Sequence, residues 1–116
     1  MTQEEKDLLL KDLCGRLPYG VKIQVNDRVE TLEGIGILDN VAEYGSFLSC
    51  DIEEIKPYLF PLSSMTEEQI KEVNKLSGLR VFPNPYIVNW YLENHIDIYG
   101  LIPKGLALDA TGLNIY

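Results

Sequence analysis

"VKIQVNDRVETLEGIGIL", residues 21–38, decides the fold class of this chain, because its hydrophobic period differs from the helical spacing of the residues before it. Val21, Ile23 and Val25 alternate with Lys22 and Gln24, as expected of a strand with one buried face. Asn26 to Arg28 carry turn chemistry, although without the Asn-Gly or Asp-Gly pair that marks a hairpin most strongly. A second strand runs from Val29 to Leu38, and its apolar phase slips: Val29 keeps step with Ile35 and Ile37, while Leu32 does not. Gly34 and Gly36 stand at the slip, where strand glycines indicate a bulge or a sharp bend.

Upstream, Thr2 and Glu5 have the spacing of a capping box, which predicts a helix beginning at Gln3. Leu9, Leu10, Leu13, Cys14 and Leu17 recur at helical spacing and form its apolar stripe; Gly15 weakens the last turn and Pro18 stops it. Downstream, "DNVAEYGS" (39–46) reads as a connection and "SFLSCDI" (46–52) as a third strand. Pro57 and Pro61 in "IKPYLFPLSSM" (55–65) predict an edge strand or an extended wrap. Three or four short, bent antiparallel strands suggest a half-open barrel of SH3-like size.

The second half is helical. Thr66 and Gln69 form another capping box, and Met65 with Ile70 fits a hydrophobic staple. Ile70, Val73 and Leu76 make a narrow stripe ending at Gly78, read as the residue just past the helix. "LRVF" (79–82) is a short extended piece. Asn84 caps a last helix whose first residue is Pro85, with Ile87, Val88, Tyr91 and Leu92 on its buried face, Trp90 at the edge and an end near His95. The tail "HIDIYGLIPKGLALDATGLNIY" (95–116) has no regular period; its leucines and isoleucines are too apolar to stand in water, so it reads as a closing segment. The class is therefore α+β: an N-terminal helix, a small bent antiparallel sheet, two helices and an irregular C-terminal segment. One domain of 116 residues is expected, with an α/β part at 1–62 and a helical part at 63–116.

Composition limits what such a domain can do. The net charge is −8, and between Asp27 and Glu54 eight acids face a single base, Arg28. Such a field repels phosphate, so direct nucleic-acid binding is not expected. Cys14 and Cys50 lack C-x-x-C spacing and read as free thiols acting as small core residues in a reducing compartment. The first 17 residues do not have the form of a signal peptide, and no segment approaches the ~20 apolar residues of a membrane span. A cytoplasmic location without membrane partners is the expectation.

His95 is the one histidine and therefore the one candidate for imidazole base catalysis. No G-x-S-x-G elbow, P-loop, zinc-ligand spacing or EF-hand loop accompanies it, and no cofactor or metal is expected. The plainer expectation for His95 is a helix C-terminus, where the dipole favours an imidazolium. Tyr58, Phe60, Phe82, Tyr86, Trp90, Tyr91, Tyr99 and Tyr116 all lie from the midpoint of the chain onward, a distribution typical of a covered seam or a protein interface.

Three stretches carry a resemblance: "LLLKDLCGRLPYGVKIQV" (8–25), "IKPYLFPLSSMTEEQ" (55–69) and "NWYLENHIDIYGLIPKGLALDATGLNIY" (89–116). They resemble a group of small uncharacterised proteins encoded in Bacteroides-type genomes, often among phage-like or mobile elements. The group's tail pattern has His-His, an aromatic-Asp pair and Tyr-Arg-Gly. This chain departs from it with Asn94 in place of the first histidine, Ile98 after the aspartate and Tyr99 in place of the arginine. The resemblance implies an origin and a compartment, and the departures favour recognition over catalysis. The expected function is thus a non-enzymatic accessory protein acting through protein contacts, self-association included. Its candidate interface is Trp90, Tyr91, His95, Asp97, Tyr99 and Leu101, extending to Leu108. The alternatives are a small-molecule site or minor enzyme at His95, Asp97 and Tyr99, or an acidic nucleic-acid mimic built on residues 27–54.

Overall fold

The computed structural model describes residues 1–36, 38–46, 48–78 and 84–116. Helix α1 (Gln3–Arg16) starts at a complete capping box, with Thr2 Oγ1 accepting from Glu5 N and Glu5 returning its carboxylate to Thr2 N. Among the described residues six strands follow: β1 (Lys22–Val25), β2 (Arg28–Gly36), β3 (Val41–Tyr44), β4 (Leu48–Asp51), β5 (Lys56–Leu59) and, further along the chain, β6 (Leu108–Asp109). Between β5 and β6 lie helices α2 (Glu67–Ser77) and α3 (Pro85–Glu93). The α+β class is as the sequence predicts.

The strands form one sheet in the order β4-β3-β2-β1-β5-β6. Asn26 and Asp27 both adopt positive φ, 49° and 64°, so the β1–β2 connection is a two-residue hairpin in which Val25 pairs with Arg28. Asn and Asp tolerate the left-handed region better than other side chains, so the turn forms without glycine. The phase slip in β2 is a register shift between Leu32 and Gly34. A Cβ at Gly34 would meet the Glu43 carboxylate at 2.6 Å, so a side chain there would have to displace the exposed Glu43 side chain.

Two strand assignments differ from expectation. Residues 41–44, read as connection, are β3, the central member of the β2-β3-β4 ladder. β5 is neither an edge nor a wrap: it pairs antiparallel with β1 and parallel with β6. Pro57 is tolerated because it stands near the strand's start, and the ladder to β6 opens only at Tyr58. The sheet is consequently mixed and six-stranded, larger than the three or four antiparallel strands anticipated. "LRVF" lies outside the described residues, as do Ile37 and Phe47 of the second and third predicted strands.

The interior is built from Leu9 and Leu13 of α1, from Val21, Ile23, Val25, Leu32, Ala42 and Leu59 of the sheet and its margins, and from Leu101, Leu106 and Ala107 of the tail. The predicted stripe of α1 holds at Leu9 and Leu13, with Leu10 and Leu17 packed against the core, and departs at Cys14. Cys14 is exposed, Cys50 is half-buried, and Asp12 and Arg16 are fully buried beside the leucines. In α3 only Leu92 is buried, while Val88 is exposed. Gly15 explains how α3 reaches α1: a Cβ there would meet Leu92 Cδ1 at 3.0 Å. Gly78 is right-handed at φ −73°, so α2 ends without the left-handed cap its glycine suggests. Among the described residues no helix is long and apolar enough to cross a membrane.

Candidate functional site

A groove of about 460 Å³ opens where the start of α2, the end of α3 and the last turn of the chain meet; Phe60, Thr66, Glu93, His95, Thr111 and Tyr116 are among its walls. Three local features place it. Thr66 caps α2, Asn94 terminates α3 by donating from Nδ2 to the Trp90 carbonyl at 2.9 Å, and His95 follows with φ 60°. That left-handed residue turns the chain off the helix, so that His95 O accepts from Phe60 N at 2.8 Å and Asp97 N donates to Phe60 O at 2.9 Å. The residues after α3 thereby extend the sheet beside β5.

The His95 imidazole stacks on the Tyr116 ring, with centroids 3.7 Å apart and planes 15° from parallel; Phe60 lies tilted against the other ring at 5.7 Å. The Tyr116 hydroxyl accepts from Lys22 N at 2.8 Å and donates to the Tyr58 carbonyl at 2.6 Å. It therefore stands in for a rung of the ladder between β1 and β5 beyond their last paired residues. Desolvation pushes its phenol up to about 12, so it remains an O–H donor at any ordinary pH.

His95 does not behave as a helix-capping imidazolium. Desolvation, together with the charges of Arg16 and Lys22, lowers its pKa to about 4, and the ring is neutral at pH 7. Its Nδ1 is buried with no partner among the described residues. No hydroxyl or thiol among those residues hydrogen-bonds to it.

Beneath the groove lies a buried ionic knot. Arg16 donates to both carboxylate oxygens of Asp12, at 2.7 and 3.0 Å, and from Nη2 to the Ile96 carbonyl at 2.5 Å. Burial pushes the Asp12 carboxyl upward, and the bonds from Arg16 oppose that shift. Asp97 is also buried, and its two oxygens accept from Leu101 N and Ile102 N at 2.8 and 2.9 Å. Both acids are occupied in holding backbone and helix in place.

The residues singled out from the sequence are therefore dispersed. Of His95, Asp97 and Tyr99, only His95 lines the groove. Tyr99 packs on the core and lies under the Lys11 ammonium at 4.9 Å. Trp90 and Tyr91 are half-buried at the seam between the helices, with Trp90 Nε1 donating to Glu72 at 2.8 Å. Leu101 is fully buried and Leu108 belongs to β6. Sequence reasoning missed the partnership of His95 with Tyr116, which are 21 positions apart without any periodic relation. It also passed over the pair of Asp12 with Arg16, although a spacing of four on one helix face was the available signal.

The acids of 27–54 spread over several places. Glu33 and Glu43 flank a second depression of about 480 Å³ on the β2–β3–β4 part of the sheet, whereas Asp39, Asp51 and Glu53 gather near Lys6, which pairs with Glu53. Burial raises both cysteine thiols and disfavours their thiolates. Among the described residues no three His, Cys, Asp or Glu side chains converge as metal ligands. Fold and groove together define an α+β domain with a half-polar cleft at its helical end. No protein-family model, curated protein or solved structure matches the chain.

Proposed function

We propose that the protein is a non-catalytic accessory module that acts through protein contacts, with the groove around His95 and Tyr116 as its contact surface. The observation that carries this reading is that Asp12 and Asp97 are committed to holding structure, while His95 is neutral with no nucleophile beside it. A concave surface of 460 Å³ remains, walled by aromatic rings, hydroxyls and amides, which suits recognition. The interface moves from the sequence-derived set to His95 with Tyr116, Phe60 and Thr111, because Asp97 and Leu101 are buried. The resemblance of residues 8–25, 55–69 and 89–116 supports a phage or mobile-element origin and a cytoplasmic setting as part of the same proposal.

The test is affinity capture from the native host with the wild-type chain and with Thr111→Arg, an exposed position whose new side chain would fill the groove. A protein recovered by the wild type and lost with the variant is the expected result. A strict monomer by light scattering that captures nothing would remove the reading.

A further inference from the structure

The sheet ends on one side at β4, whose ladder among the described residues is the one to β3. In an antiparallel ladder, directly opposed residues alternate between pairs that exchange hydrogen bonds and pairs that do not. Ile52 N donates to Asn40 O at 3.0 Å, which sets the phase: Cys50 with Ala42 and Leu48 with Tyr44 are the bonded pairs. The N–H and C=O of Ser49 and of Asp51 therefore point away from the sheet, and no described residue outside β3 takes them. Such an edge is a template for one more strand.

The two faces of β4 indicate what that strand carries. Ser49 and Asp51 share a face with Glu43, the β3 partner of Ser49. On this side lies the depression of about 480 Å³ walled by Glu33, Glu43, Ser46, Leu48 and Ser49, with no lysine or arginine among its described walls. Both glutamates are exposed. At the far end of β4, Asp51 stands with Asp39 and Glu53 around one base, Lys6, which is paired with Glu53. The opposite face is apolar: Cys50 packs half-buried against the core, and Leu48 is 48% exposed. A strand laid on β4 thus meets carboxylates at alternate positions and apolar surface between them. A second copy of β4 is a poor match, since its own acids would face those of the first, each chain carrying a net charge of −8.

We propose that β4 is a docking edge for an extended segment of a partner protein in which basic residues alternate with apolar ones. The segment adds a further antiparallel strand, as the neighbouring pairs from β1 to β4 already do. Its basic residues stand opposite Ser49 and Asp51, and the apolar residue between them covers Cys50. This edge lies across the sheet from β5 and β6, so it is separate from the His95 groove, and the failure of either leaves the other standing.

The experiment titrates acetyl-Thr-Lys-Val-Arg-Val-Thr-amide into the ¹⁵N-labelled full chain at low salt and follows amide exchange. The outward amides of Ser49 and Asp51 should exchange fast in the free chain and slow at least about tenfold with the peptide. N-methylation of the lysine and arginine keeps their charge and removes the donors aimed at β4, so it should abolish the effect, as should glutamates in place of both. Glu43→Gln should weaken the basic peptide about threefold, the scale of one exposed ion pair. Glu93→Gln, in the groove, should change it less than about 1.5-fold, because distant exposed charges are screened. Equal binding of the acidic or the N-methylated peptide overturns the docking edge, and so does the basic peptide leaving Ser49 and Asp51 unprotected. Slow exchange of both amides before any peptide is added overturns it too, in favour of a second copy if light scattering finds a dimer and of the chain's own cover if it finds a monomer.

Discussion

Helix α2 has a complete capping box, an apolar stripe and no buried residue, whereas the segment from 95 to 110 has no regular period yet buries Ile96, Leu101, Leu106, Ala107 and Ala110. The difference separates two properties that sequence patterns tend to merge. Periodicity states which face a segment could bury; burial itself needs something to pack against. α2 rests mainly on α3, and its Ile70 remains 47% exposed. The tail instead adds β6 and the 95–97 turn to the free side of β5, where backbone hydrogen bonds and the Asp97 carboxylate fix its path without any helix of its own. Stability should therefore concentrate in α1, the sheet and the tail, with the α2 surface nearly neutral.

Substitutions that attack the buried side of this contrast should cost most. Arg16→Ala leaves Asp12 uncompensated in the interior and frees the Ile96 carbonyl, so urea denaturation should show a loss of about 3–5 kcal/mol. A loss below about 1 kcal/mol would mean that the knot is solvated. Asp97→Ala removes the acceptor of two backbone N–H groups and should cost about 2–3 kcal/mol by the same measurement. Tyr116→Phe keeps the ring stacked on His95 but leaves Lys22 N and Tyr58 O without their bridge, at a cost of about 1–2 kcal/mol.

A smaller effect depends on pH. With its pKa lowered from 6.5 to about 4 in the fold, His95 stays neutral where the unfolded chain already binds a proton. Its contribution to stability is thus intact above pH 6.5 and falls as pH drops from 6.5 towards 4. His95→Asn, which suits the left-handed backbone, should remove that slope, so urea midpoints of wild type and variant should converge on acidification. A constant gap from pH 7 to 4 would place the ring in water. Least of all, Ile70→Ala on α2 should change stability by only about 0.5 kcal/mol; a loss above 2 kcal/mol would show that the helix is buried against something, and the contrast with the tail would collapse.

Much of the scaffold was legible because it is encoded locally. Both capping boxes, the Asn84 cap, β1 and the β2 bulge follow from neighbours within a few positions, and each forms as its residues dictate. What escaped was encoded at a distance. β3 has the turn residues Gly45 and Ser46 at its end and only four residues of its own, so nothing in its composition outweighed a loop. Pro57 in β5 and Pro61 just after it argue against an interior strand unless one knows that its second neighbour joins after Pro57 and comes from residues 108–109. In α1 the period and the leucines of the stripe were right, but a carboxylate and a guanidinium four apart can neutralise each other and enter the core where Cys14 does not. The candidate site suffered most, since it joins residues 60–69, 93–96 and 111–116, and no local pattern reports that meeting.

The bridge made by the Tyr116 hydroxyl has a consequence for how the chain acquires its structure during synthesis. Lys22 and Tyr116 are 94 positions apart, and Arg16 reaches the Ile96 carbonyl across 80. A ribosome delivers the N-terminal helix and the first five strands well before the residues that cover them. Leu9, Leu13 and the guanidinium of Arg16 must wait, exposed or provisionally paired, until residues 96–116 have been made. The nascent chain is most adhesive during that interval, when a chaperone would hold it most readily.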